Sequence, residues 1–148
     1  MLTIIEKVLL LQNVEVFSDV ASEQLSFIAA IAQEVTAGAG ELIFREGDAP
    51  DGLYVVIAGS VRLLRGDGEL ARYGPNQAFG VWALFDDAPR MISATAAEES
   101  HLLFIARNEF YDVLSDHMEI VEELFKRFVQ RLRRLAGAID PKSAHVAF

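Results

Sequence analysis

Few side chains in this sequence are placed for covalent chemistry. His101, His117 and His145 are scattered, with no carboxylate spaced to join them around a metal ion, so a metal-dependent β-roll enzyme is not expected. The chain has no cysteine, which excludes disulfides and thiolate metal sites. No serine stands in a nucleophile-elbow context. Arg65-Gly66-Asp67 spells an adhesion-type tripeptide, but its composition is that of a hairpin turn. Two side chains remain. The Arg90 guanidinium offers a two-pronged donor set suited to a phosphate, or it could pair with Asp86 or Asp87 close by. Trp82 could stack on a flat base or fill a core.

The elements that must position them form a simple order. From Ser22, the apolar positions Leu25, Ile28, Ala29 and Ala32 follow the helical period, and a helix over residues 22–34 is expected, closed by Gly38 and Gly40. An apolar helix over residues 2–14 precedes it. The middle, residues 41–106, reads as short strands and turns. Glu41–Phe44, Leu53–Ala58, Val61–Arg65, Glu69–Tyr73, Ile92–Ala96 and Ser100–Ala106 carry strand composition, and Gln77–Gly80 is irregular. Gly66-Asp67-Gly68 makes a tight hairpin. Helices return over residues 108–136, the first capped by Asn108 and the second by Ser115 or Asp116, with Gly137 just past the end. Residues 137–148 have no period and are expected to form a flexible tail.

Bulk composition sets outer limits. The chain has 148 residues, 52% hydrophobic and 24% charged, enough for one domain, residues 1–136, with its own core. The net charge of −9 opposes direct binding of nucleic acid, which needs a basic surface. The first fourteen residues are too short to span a bilayer and make a poor signal peptide, so a cytoplasmic location is expected. That apolar start also suits packing against something upstream, as in a piece of a longer protein.

Gly40-Glu41-Leu42-Ile43-Phe44-Arg45-Glu46-Gly47-Asp48, then Tyr54, then Ile57-Ala58-Gly59-Ser60-Val61 resemble the opening of cyclic-nucleotide-binding domains, and the likeness runs from about Phe17 to Leu135. It implies a mainly β fold, a double-stranded β-helix or jelly roll with N-terminal helices and two C-terminal helices. It also implies a binding or regulatory module and not an enzyme. Its ligand would be a cyclic nucleotide or another anionic phosphorylated compound. The family's phosphate-binding cassette corresponds here to Phe79, Gly80, Val81, Trp82, Ala83 and Leu84, then Pro89, Arg90, Met91 and Ile92. The resemblance implies a short helix whose start, near Ala83 and Leu84, offers free N–H groups to a phosphate.

The chain departs from that pattern at the sugar. The family's glutamate after the cassette glycine accepts the ribose 2′-hydroxyl; here the residue is Val81. Trp82 replaces the usual leucine, and Met91 replaces a small or hydroxyl-bearing residue. Weak or lost binding of cyclic AMP and cyclic GMP is therefore expected, or else a variant receptor in which Trp82 stacks on the base. With the acceptor gone, Arg90 is expected to form a structural ion pair with Asp86 or Asp87, and Trp82 to fill the pocket as core.

The final helix carries Val121, Leu124, Phe125, Phe128, Leu132 and Leu135 at spacings of three and four, opposite Glu122, Glu123, Lys126, Arg127, Arg131 and Arg134. Its acids come early and its bases late, which suits the helix dipole. The resemblance implies a homodimer through Val121–Leu135 and an output partner. The chain ends at Phe148, which leaves no room for the helix-turn-helix of a cyclic-AMP-receptor-type transcription factor unless it is truncated.

Overall fold

A computed structural model describes residues 1–138. The chain runs α1 (Ile4–Gln12), a 3-10 turn at Glu15–Phe17, α2 (Ser22–Ile31), β1 (Gln33–Ala37), β2 (Leu42–Phe44), β3 (Gly52–Ala58), β4 (Val61–Arg65), β5 (Gly68–Tyr73), β6 (Ala78–Phe79), a 3-10 turn at Val81–Leu84, β7 (Ser93–Ala96), β8 (Ser100–Ala106), α3 (Arg107–Asp116) and α4 (Met118–Gly137). The strands form two four-stranded sheets, β1-β8-β3-β6 and β2-β7-β4-β5, antiparallel at every pairing. This is the jelly roll with flanking helices.

The period of two in β3 and β8 divides the core. Successive side chains leave a strand on opposite faces. Leu53, Val55, Leu103 and Ile105 point outward into a cluster with Leu11, Phe17, Leu25, Ile28, Phe110 and Ile120 from the helices. Tyr54, Val56 and Leu102 point inward, where they meet Phe44, Val61, Leu63, Phe79 and Ala94 between the sheets. β3 and β8 are thus apolar on both faces, which is why they read as continuous hydrophobic runs.

Several boundaries differ from the sequence expectations. The helix placed at 22–34 stops at Ile31, and Gln33–Ala37 is β1, paired with β8 from Gln33↔Phe104 to Ala37↔Ser100. The helical period carried the reading through Ala32, but Val35 and Thr36 are β-branched and β8 offers a free edge, so the ladder wins. The roll accordingly begins near residue 33, not 41. Gly38 and Gly40 serve the β1–β2 turn, with Gly40 at φ 81°. The first helix spans Ile4–Gln12, not 2–14, and Thr3 with Glu6 forms a reciprocal capping box at its start. Neither C-terminal helix has the expected cap. Ala106 stands before α3, not Asn108; His117 stands before α4, not Ser115 or Asp116; and Gly137 lies inside α4. Strands met where expected shift by about a residue, and Ala78–Phe79 adds a two-residue strand. Most of the expected tail, from residue 139 on, lies outside the described residues, as does His145.

Candidate functional site

Arg90 is the buried charge of this fold. The residue is 7% exposed, and Ser100 is the other polar residue buried to that degree among the described residues. Its backbone is pinned first: the Arg90 amide donates to Asp48 O and its carbonyl accepts from the Gly47 amide, both at 2.8 Å. That pairing turns the side chain inward against the aromatic cluster of the roll. The guanidinium carbon lies 3.9 Å from the centre of the Phe44 ring, a cation–π contact. Nη2 donates to the Asp51 carboxylate and, at 2.8 Å, to Gly52 O. Nη1 donates to Gly80 O at 3.3 Å. Nε has no partner.

The ion pair with Asp86 or Asp87 is thereby corrected. Arg90 pairs with Asp51, 39 positions away, and Asp86 instead accepts the Ala88 amide at 3.0 Å. Asp51 sits just before β3, which crosses the roll beside the cassette, so tertiary pairing brings it closer to the guanidinium than its sequence neighbours. Its second oxygen accepts from the Tyr54 hydroxyl at 3.2 Å. Burial, and then the Asp51 charge, push the Tyr54 hydroxyl far above its ordinary pKa, so it is held as a donor.

Gly80 permits the close approach. It adopts the left-handed conformation at φ 76°, and a Cβ there would lie 2.6 Å from Arg90 Nη1. The 3-10 turn Val81–Leu84 follows directly, so the helix start is Val81 and Trp82, two residues earlier than expected.

Beside these groups opens a cavity of about 420 Å³. Phe79, Gly80, Val81, Trp82, Ala83, Pro89, Arg90, Met91 and Ile92 all line it, so nine of the ten sequence-chosen residues come together. Leu84 does not: it is fully buried in the helix-side core. Trp82 is not core either. It is 70% exposed, because the turn that buries Ala83 and Leu84 leaves position 82 facing outward. Met91 is also exposed at the rim. The lining that sequence reading missed comes from other strands, chiefly Phe44, Leu63, Arg65 and Tyr73. Val81 projects no hydrogen-bond acceptor into this space.

Past Val81 and Trp82 lies a second cavity, of about 620 Å³, bounded by residues of the first 3-10 turn and of α4. Phe85 bridges toward α4. Its ring meets Phe128 edge-on at 5.2 Å and Phe110 of α3 at 5.8 Å. Arg131 and Arg127 of α4 pair with Glu15, and Arg127 also with Asp19. Phe85, just past the cassette turn, thus touches both C-terminal helices, and α4 in turn pairs with the first 3-10 turn and the residues after it. The remaining described histidines have local partners: His101 pairs with Glu34 at 3.1 Å, and His117 stacks on Phe27 at 3.8 Å. Among the described residues, no group of three or more His, Cys, Asp or Glu is gathered where it could hold a metal. No helix among them is long and apolar enough to cross a membrane.

Comparison with known proteins agrees with this geometry. The family model described as "Cyclic nucleotide-binding domain" matches residues 34–117. A CRP-like cAMP-activated global transcriptional regulator of Mycobacterium tuberculosis is 32% identical over 130 residues, covering 84% of this chain and 58% of the regulator. A cAMP-dependent protein kinase regulatory subunit of Blastocladiella emersonii is 27% identical, covering 87% of this chain and 33% of the subunit. The chain thus spans less than two thirds of these relatives. Among solved structures, the N-terminal domain of a transcriptional regulator from Streptomyces coelicolor A3(2) superposes with a TM-score of 0.82 at 32% identity, covering 88% of this chain and 97% of that domain. Fold, cassette geometry and the matched stretch together show that the chain belongs to the cyclic nucleotide-binding domain family.

Proposed function

We propose that these residues form a non-enzymatic regulatory module that senses an anionic ligand in the roll, and that cyclic AMP and cyclic GMP bind it weakly or not at all. One observation carries the reading. Arg90 brings a guanidinium, paired here with Asp51, to the cavity wall, while the position where the resemblance calls for a sugar-binding glutamate is Val81. A hydrogen bond to a charged group contributes about 1.5–3 kcal/mol, so its absence weakens binding roughly ten- to a hundredfold. Met91 adds bulk at the rim, where the resemblance calls for a small residue.

The output runs through the aromatic contact of Phe85 with Phe128. A ligand that moves the Val81–Leu84 turn changes the seat of α4, and so shifts the balance between two packings of that helix. α4 then offers its outer stripe to a second copy. Phe125, Leu132 and Leu135 are each more than half exposed, whereas Leu124 is buried in the domain core. We assign a homodimer to this stripe and an output partner to the assembly, working in the cytoplasm. The net charge of −9 sets these residues against direct contact with nucleic acid. In Leu132→Glu, sedimentation equilibrium should report a monomer where the parent is a dimer; a parent that is already monomeric removes the dimer from the proposal.

Calorimetry on Val81→Glu/Met91→Ala with cyclic AMP and cyclic GMP tests the main reading. The double variant should gain an affinity that the parent lacks, and absence of any heat from it counts against the reading. A second reading is favoured by the exposure of Trp82 at the cavity mouth: a true receptor with a variant pocket, in which that ring stacks on the base and Arg90 holds the phosphate. A clear rise in the parent's melting temperature with millimolar cyclic nucleotide selects it over the first.

A further inference from the structure

The cassette cavity is walled by hydrocarbon. Phe44, Leu63, Phe79, Val81, Met91 and Ile92 line it, and its charged side chains are Arg90, Arg65 and Asp86. Asp86 commits one carboxylate oxygen to the Ala88 amide. Arg90 is paired with Asp51, and its unpartnered Nε is buried. Among the described residues Arg65 enters no ion pair. Asp51 matches the Arg90 charge, so Arg65 is left as the cation without an ion-pair partner at a wall that is otherwise mostly apolar.

That arrangement discriminates between ligand bodies. A space of 420 Å³ holds roughly a dozen waters at ~30 Å³ each. Waters against such walls are poorly bonded, and an apolar body gains by displacing them. A polyol body finds few partners on these mostly apolar walls, and each hydroxyl left unpaired weakens binding about 5- to 150-fold. Trp82 at the mouth adds an aromatic face for a flat ring.

We propose that this cavity takes an organic phosphate carrying a flat apolar body, in preference to a sugar phosphate. The proposal rests on the reading of the site as an anion-sensing pocket. Isothermal titration of the full chain with 1-naphthyl phosphate, ribose 5-phosphate, 1-naphthol and cyclic AMP tests it. Naphthyl phosphate should bind about tenfold or more tighter than either ribose 5-phosphate or naphthol. Arg65→Gln, a surface change that leaves the core intact, should weaken naphthyl phosphate several-fold and leave naphthol unmoved.

The proposal is overturned if ribose 5-phosphate binds as well, if naphthol binds as well, or if Arg65→Gln has no effect. Heat from cyclic AMP with silence from naphthyl phosphate overturns it while sparing the anion-sensing pocket. Silence from every phosphate removes both.

Discussion

Replacing Asp51 with alanine isolates the interaction that orients the cassette arginine. Removing one partner of a fully buried ion pair costs about 3–5 kcal/mol, and removing one of an exposed pair costs about 0–1 kcal/mol. This pair lies between those limits. The Arg90 side chain is 4% exposed and that of Asp51 is 51% exposed, so water can reach the vacated oxygen positions from one side. The guanidinium also keeps Gly52 O, Gly80 O and the Phe44 ring. A loss of about 1–2.5 kcal/mol is therefore expected, the exposed side discounting the buried-pair figure. In a chain of this size that lowers the melting temperature by roughly 2–10 °C. Part of the loss belongs to the Tyr54 hydroxyl, which also gives up its acceptor, so the measurement is repeated in a Tyr54→Phe background. A double-mutant cycle with Arg90→Met then gives the coupling of the pair itself. The same change frees an Arg90 donor, so inorganic phosphate should raise the melting temperature of Asp51→Ala more than that of the parent. A variant that melts within ~1 °C of the parent, or a cycle in which the two single effects simply add, would refute the assignment of Asp51 as the holder of Arg90.

Two further changes probe neighbouring links. Gly80→Ala should destabilise the fold by about 1–2 kcal/mol through the left-handed backbone alone, with more from the Cβ that would meet Arg90 Nη1, and chemical denaturation reads the sum; a neutral result would mean that the turn relaxes without cost. Glu34 is held below the ordinary carboxylate range chiefly by the Leu2 amide, with His101 adding to it. A depressed carboxylate adds stability that is present above its unfolded value and disappears as pH falls through its folded one. Glu34→Gln should therefore flatten the acid limb of the melting-temperature profile, and parallel profiles for parent and variant would exclude that role.

Much of the architecture was legible because it depends on local rules. Leu53–Ala58 and Ser100–Ala106 read as strands because β-branched and aromatic residues line both faces, and Gly66 turns the hairpin at φ 58° as the tight turn requires. The resemblance to the family's cassette, not a local rule, picked out ten residues between Phe79 and Ile92, and nine of those ten line one cavity. Local rules failed where a distant partner decided. Gln33 and Glu34 read as the end of a helix, yet Gln33–Ala37 is a strand because β8 has an edge to fill. Trp82 has the composition of a core residue, yet a 3-10 turn buries its neighbours and not the ring itself.

By itself, then, the sequence determined most of the order of elements, β1 and β6 excepted, and the absence of an acid at position 81. Only the tertiary structure decided that Arg90 belongs to Asp51 and the carbonyls of Gly52 and Gly80. The reason is physical: a buried guanidinium must find oxygen within hydrogen-bond reach, and which oxygens lie there is set by how β3 crosses the cassette, not by distance along the chain.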